Sequence, residues 1–161
     1  INILIVSGFI TSCGFYSFTG ASIPEEAKSV SVNYFTTTAA NAPSSLSQTV
    51  TEELRDLLLS QTSLELTELE GDLIFNGKIT KYKVSPMAIQ ANETAGKNRL
   101  TIAVEATYIN KFNNKQNFEN IFIRYRDFDS SENLADIENI LIEGIINEIL
   151  EDIFNKAFVN W

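Results

Sequence analysis

The chain has 161 residues, 44% of them hydrophobic, a net charge of −9, and no histidine at all. That is enough chain for one domain with a real core, and a mean hydropathy near zero excludes both disorder and a membrane-spanning body. Without histidine the commonest general base and metal ligand are gone, and with them every Ser-His-Asp arrangement, so neither an enzyme nor a resident metal or cofactor is expected.

Residues 1–12 are largely apolar (Ile3, Leu4, Ile5, Val6, Phe9, Ile10) and end in Thr11 and Ser12, directly ahead of Cys13, the single cysteine. An apolar run of about ten residues matches a signal-peptide core and falls short of the roughly 20 that cross a bilayer. The segment reads as a signal-peptide remnant lacking its basic start, and Cys13 as the residue that takes a diacylglycerol after cleavage. The plainer alternative is an incidental thiol. A lone cysteine forms no intramolecular disulfide, so export is argued from position alone. Residues 13–161 then make one domain on a lipidated N-terminal tether that carries Phe15, Tyr16 and Phe18.

Val30, Val32 and Tyr34 alternate with Ser29, Ser31 and Asn33, which predicts a half-buried strand. After the breaker Pro43, Ser45 with Gln48 fits a capping box. Leu46, Val50, Leu54, Leu57 and Leu58 then fall on one stripe of a helix. A second strand is expected over 73–84. There Leu73, Phe75 and Ile79 share one parity, and Ile74, Tyr82 and Val84 the other. Gly77 inside it marks a bulge or a close backbone approach.

A polar loop over 90–98 leads to the clearest strand, 99–110, with Leu100, Ile102, Val104, Ala106 and Tyr108 facing one way. Asn113-Asn114-Lys115 turns the chain into a fourth strand over 118–126, and these short connections imply an antiparallel meander. Asp129 with Glu132 is placed to cap a long tail helix. Its stripe of Leu134, Ile137, Leu141, Ile145, Ile149, Ile153 and Ala157 is widened by Ile142, Ile146, Leu150 and Phe154. The order β-α-β-β-β-α predicts an α+β fold: a two-layer sandwich whose four-stranded, mostly antiparallel sheet carries both helices on one face.

Charge is distributed unevenly. Residues 78–126 hold nine bases against Glu93, Glu105 and Glu119, inside an otherwise acidic chain. Such a block signals either an anionic partner or an internal match between basic strands and acidic helices. Nucleic acid is a poor candidate, given the overall acidity and the export signal. Gly71 and Gly77 fit no phosphate-binding loop. Glu25-Glu26 and Glu52-Glu53 read as solvated surface.

Taken in order, CGFYSFTGASIP (13–24), SVSVNYF (29–35), LSQTVTEELRDLLLSQTSLEL (46–66), GDLIFNGKITKYKVSPMAIQ (71–90), NRLTIAVEATYINK (98–111), FIRYRDFDSSENL (122–134) and EDIFNKAFVNW (151–161) resemble the LptE family of lipopolysaccharide-assembly lipoproteins, in its Bacteroidetes-type form. The resemblance implies a sheet with two helices on one side. It also implies an outer-membrane, periplasm-facing lipoprotein that plugs the LptD β-barrel, helps it assemble, and contacts lipopolysaccharide in transit. Basic residues near the loop between the second and third strands make that contact in the family. Here Lys97 and Arg99 hold the comparable place, with Lys81 and Lys83 leading in. Gly14 after Cys13, and the lack of an acidic run there, agree with an outer-membrane address. The alternative is a free periplasmic lipoprotein carrying an amphipathic ligand, which needs an apolar pocket of several hundred cubic ångströms.

Overall fold

Alternation over the central strand sets the layers, and the rest of the chain packs around it. The computed structural model describes residues 23–88 and 96–159; residues 1–12, Cys13 and the tether fall outside them, as does most of the 90–98 loop. The elements in order are β1 (Ser29–Val32), β2 (Thr36–Thr37), α1 (Leu46–Gln61), β3 (Glu65–Leu66), β4 (Leu73–Pro86), β5 (Lys97–Asn110), β6 (Phe118–Asp129) and α2 (Leu134–Phe158), with a 3-10 turn at Asn114–Gln116.

The fold is α+β with both helices over one face, but the sheet has six strands and mixed direction. Its order is β3-β1-β4-β5-β6, with β2 also on β4. The β4-β5-β6 meander is antiparallel as expected. In contrast, β1, β2 and β3 all pair in parallel. Helix α1 is the crossover that makes this possible, because parallel neighbours need a long connection. The two extra strands are two residues each, too short to show a period of two in sequence.

Gly77 is a close approach, and the bulge lies three residues further on. The ring of fully buried Phe35 crosses Gly77 so closely that a Cβ there would sit 2.2 Å from it. Phe35 is held there by its backbone N–H, which donates to Thr51 Oγ1 of α1 at 3.0 Å. The chain therefore turns inward after β1. Val30 and Val32 are buried while Tyr34 is left exposed, against the predicted common face. The register jumps from Ile79 opposite Val104 to Lys81 opposite Ala103, which makes Thr80 the extra residue. This bulge reverses the parity of β4. Tyr82 and Val84 lie opposite Ile102 and Leu100 on the helix side, and Ile74 stays on the other side between Ser31 and Ile109.

The helix stripes form as read, with Leu46, Val50, Leu54 and Leu58 of α1 buried and α2 covered from Ile142 to Phe158. Phe75, Tyr108 and Phe158 meet at their centre, ring centroids 4.9–6.1 Å apart. The predicted caps differ. Ser45 sits in the helical region and its side chain caps nothing, since a capping side chain needs an extended backbone to fold back over the first turn. Asn133, not Asp129, caps α2 through a bond from the Ala135 N–H. Asp129 instead accepts from Ser131 N (2.8 Å) and Oγ, while its own N–H donates to Glu132. It shapes the turn ahead of the helix.

Candidate functional site: the open face of the sheet

Helices cover one face of β4-β5-β6, and the strand register places a different set of side chains on the other. Rows run across this open face: Lys78, Glu105 and Ile121; then Lys81, Ala103 and Ile123; then Lys83, Thr101 and Tyr125; then Ser85, Arg99 and Asp127. Strands are spaced about 4.8 Å, so the β4 lysines stand roughly 10 Å from the β6 side chains.

All of Lys81, Lys83, Lys97 and Arg99 lie on this face, toward one end. Lys97 and Arg99 are in strand β5 and not in the loop before it. Their surroundings differ. Arg99 donates to both oxygens of Asp127, from Nε at 2.6 Å and Nη2 at 2.9 Å, and its guanidinium lies 3.6 Å over the Tyr125 ring. Arg99 chiefly, with Lys97 nearby, holds the Asp127 carboxyl below the usual carboxylate range. Ser131 chiefly, with Lys97 adding to it, does the same for Asp129. Lys78 is paired with Glu105 at 2.8 Å. Lys81 and Lys83 are exposed and meet no acid among the described residues. A rigid strand thus presents two ammonium groups two residues apart, a spacing suited to oxyanions.

The helix side takes two further bases of the block. Arg124 reaches Asp152 of α2 at 2.7 Å, and Arg126 reaches Glu148 at 2.5 Å. Arg126 holds the Glu148 carboxyl below its ordinary range. Tyr82 donates its hydroxyl to Glu138 of α2; burial, with that carboxylate beside it, pushes the phenol pKa upward.

The strand pattern alone did not expose the apolar row on β6. Ile121, Ile123 and Tyr125 are 54%, 52% and 49% exposed, while Phe122 and Phe128 point to the core. The available signal was that Ile121, Phe122 and Ile123 are apolar at both parities, which leaves one parity without a core to enter. Between the lysines and this row, Ala103 is only 3% exposed and forms a low floor.

A shallow depression of about 640 Å³ adjoins the same face, lined by Glu105, Glu119, Asn120 and Ile121. Its carboxylates suit neither an anion nor the enclosed apolar chamber that a carrier requires. Among the described residues no group of three His, Cys, Asp or Glu could hold a metal ion, and no helix is long and apolar enough to cross a membrane.

The model of the LptE family, described as lipopolysaccharide-assembly, matches residues 27–157. The chain belongs to the LptE family. No curated protein matches it by sequence. Among solved structures, it is similar to a hypothetical protein of Chlamydia trachomatis (TM-score 0.55, 11% identity, 83% of this chain and 100% of that one). It is also similar to a minor lipoprotein of Acinetobacter baumannii (0.51, 13%, 81% and 91%). Uncharacterized lipoprotein B of Nitrosomonas europaea is a third (0.51, 13%, 92% and 88%). At such identities these likenesses establish the fold. The function follows from the family, so this LptE-family chain is a lipoprotein of lipopolysaccharide assembly.

Proposed function

We propose that this LptE-family chain is anchored in the outer membrane through lipidated Cys13, faces the periplasm, and partners an LptD-type β-barrel as its plug and assembly factor. Lipopolysaccharide passes along its cationic sheet end on the way to the cell surface. The family match over nearly the whole described body carries this reading. Three physical features support it. The position of Cys13 behind a signal-like apolar run supplies an anchor, and two or more acyl chains hold a protein stably where one does not. Two helices and a sheet locked by an aromatic core form a body stiff enough to occupy a lumen. Lys81 and Lys83, with Lys97 and Arg99 beside them, give the phosphates of lipopolysaccharide charged donors. No chemistry is asked of the protein; it acts by position and contact.

The test is isolation of the full-length chain from outer membranes with its bound partners identified by mass spectrometry. A β-barrel should co-purify in stoichiometric amount, and Cys13→Ala should shift a protein without its barrel into the soluble fraction. Recovery of the wild-type chain un-acylated, with no barrel attached, would refute the proposal.

A further inference from the structure

We infer that Ile121, Ile123 and Tyr125 form the acyl-chain half of a surface for a phosphorylated, acylated glycolipid, with Lys81 and Lys83 as its phosphate half. The inference rests on the lipopolysaccharide reading above and assigns to that site a second, apolar component.

The two halves are parallel strips on one rigid sheet. Lys81 and Ile123 flank Ala103 in one row, and Lys83 and Tyr125 flank Thr101 in the next. The gap of roughly 10 Å is two strand spacings, about a sugar ring with its linkages. It is floored by the small Ala103, which lets a ligand lie flat. An occupant must therefore be anionic on the β4 side and apolar on the β6 side. A phosphorylated, acylated glycolipid meets both strips with one small molecule, whereas a protein wall must set an acid opposite each lysine and an apolar patch opposite each isoleucine at the same two-strand spacing. Charge fixes the orientation as well. Glu105 and Glu119 border Ile121 at one end, so phosphate belongs at the Lys81–Lys83 end and the acyl chains run along Ile123 toward Ile121. Tyr125, capped by Arg99, stands where the polar and apolar parts meet.

Side chains half-exposed on a monomer's surface add almost nothing to its folding, so their replacement is a clean test. The mature full-length chain is titrated with purified lipopolysaccharide and with the same material de-acylated. Ile121→Thr with Ile123→Thr should weaken binding of the acylated form by about tenfold, since both changes remove apolar area that an acyl chain would cover. Binding of the de-acylated form should stay unchanged. Lys81→Gln with Lys83→Gln should weaken both forms and flatten the salt dependence. Wild-type affinity for acylated lipopolysaccharide in the Ile121/Ile123 variant would overturn this inference and leave the lipopolysaccharide reading intact. Loss of barrel co-purification with lipopolysaccharide binding unchanged would overturn it too, assigning the strip to the barrel. A wild-type chain that binds neither form would remove both.

Discussion

The same three strands present two faces, and the contrast between them explains most of this protein. Toward the helices, β4 and β5 contribute Leu73, Phe75, Ile79, Leu100, Ile102, Val104 and Tyr108, all fully buried, and β6 adds the buried Phe122 and Phe128. The bases on that side, Arg124 and Arg126, are matched by Asp152 and Glu148. Toward solvent, the strands carry Lys81 and Lys83, which meet no acid among the described residues, and Ile121 and Ile123, each about half exposed. One face is finished and the other is not. Substitutions on an exposed face usually change stability little, so its composition is free to suit a partner.

Three changes probe that division. The largest effect is expected for Phe75→Ala, which empties the junction of the rings of Tyr108 and Phe158. A loss of about 3–5 kcal/mol should appear in chemical denaturation. An unfolding midpoint within 1 kcal/mol of wild type would mean that the helix layer does not depend on this cluster.

A smaller effect, of opposite sign, is expected at Glu53. This residue lines a cleft of about 230 Å³ between α1 and α2 with Glu143. Burial, then Glu143, then Asp56 raise its pKa. A folded-state pKa above the unfolded one gives stability that is present at low pH and lost as pH rises through the folded value. Glu53→Gln should therefore raise the melting temperature at pH 7, with the difference closing as pH falls below the ordinary carboxylate range. An equal difference at both pH values would disprove the titration account.

The smallest effect on stability, within about 0.5 kcal/mol, is expected for Lys81→Gln with Lys83→Gln, because both side chains stand free of the core. A cooperative loss of several degrees would show that the open face is structural after all.

How much of this was legible in the sequence depends on length. Strands of twelve or more residues and helices of sixteen or more announced themselves, because their periods repeat often enough to be read. The bulge was expected, if anywhere, at Gly77; its actual place at Thr80 leaves only the parity change between Ile79 and Tyr82 as a trace in the sequence. Strands β2 and β3 were invisible at two residues each, and so was the parallel half of the sheet. Caps failed for a local reason: Ser45 had the right side chain on the wrong backbone. The basic block was legible as composition, but only the register divides it between Arg124 and Arg126, turned to α2, and Lys81 and Lys83, turned away. The apolar strip on β6 required the same register, since Ile121 and Ile123 look like core until Phe122 takes the core position.

The most direct test of the account is a paired measurement of lipopolysaccharide affinity and melting temperature on the Lys81→Gln, Lys83→Gln protein. Affinity should fall several-fold at low salt, with a shallower salt dependence, while the melting temperature stays at the wild-type value. Unchanged affinity with a lowered melting temperature would contradict the division of labour between the two faces of the sheet.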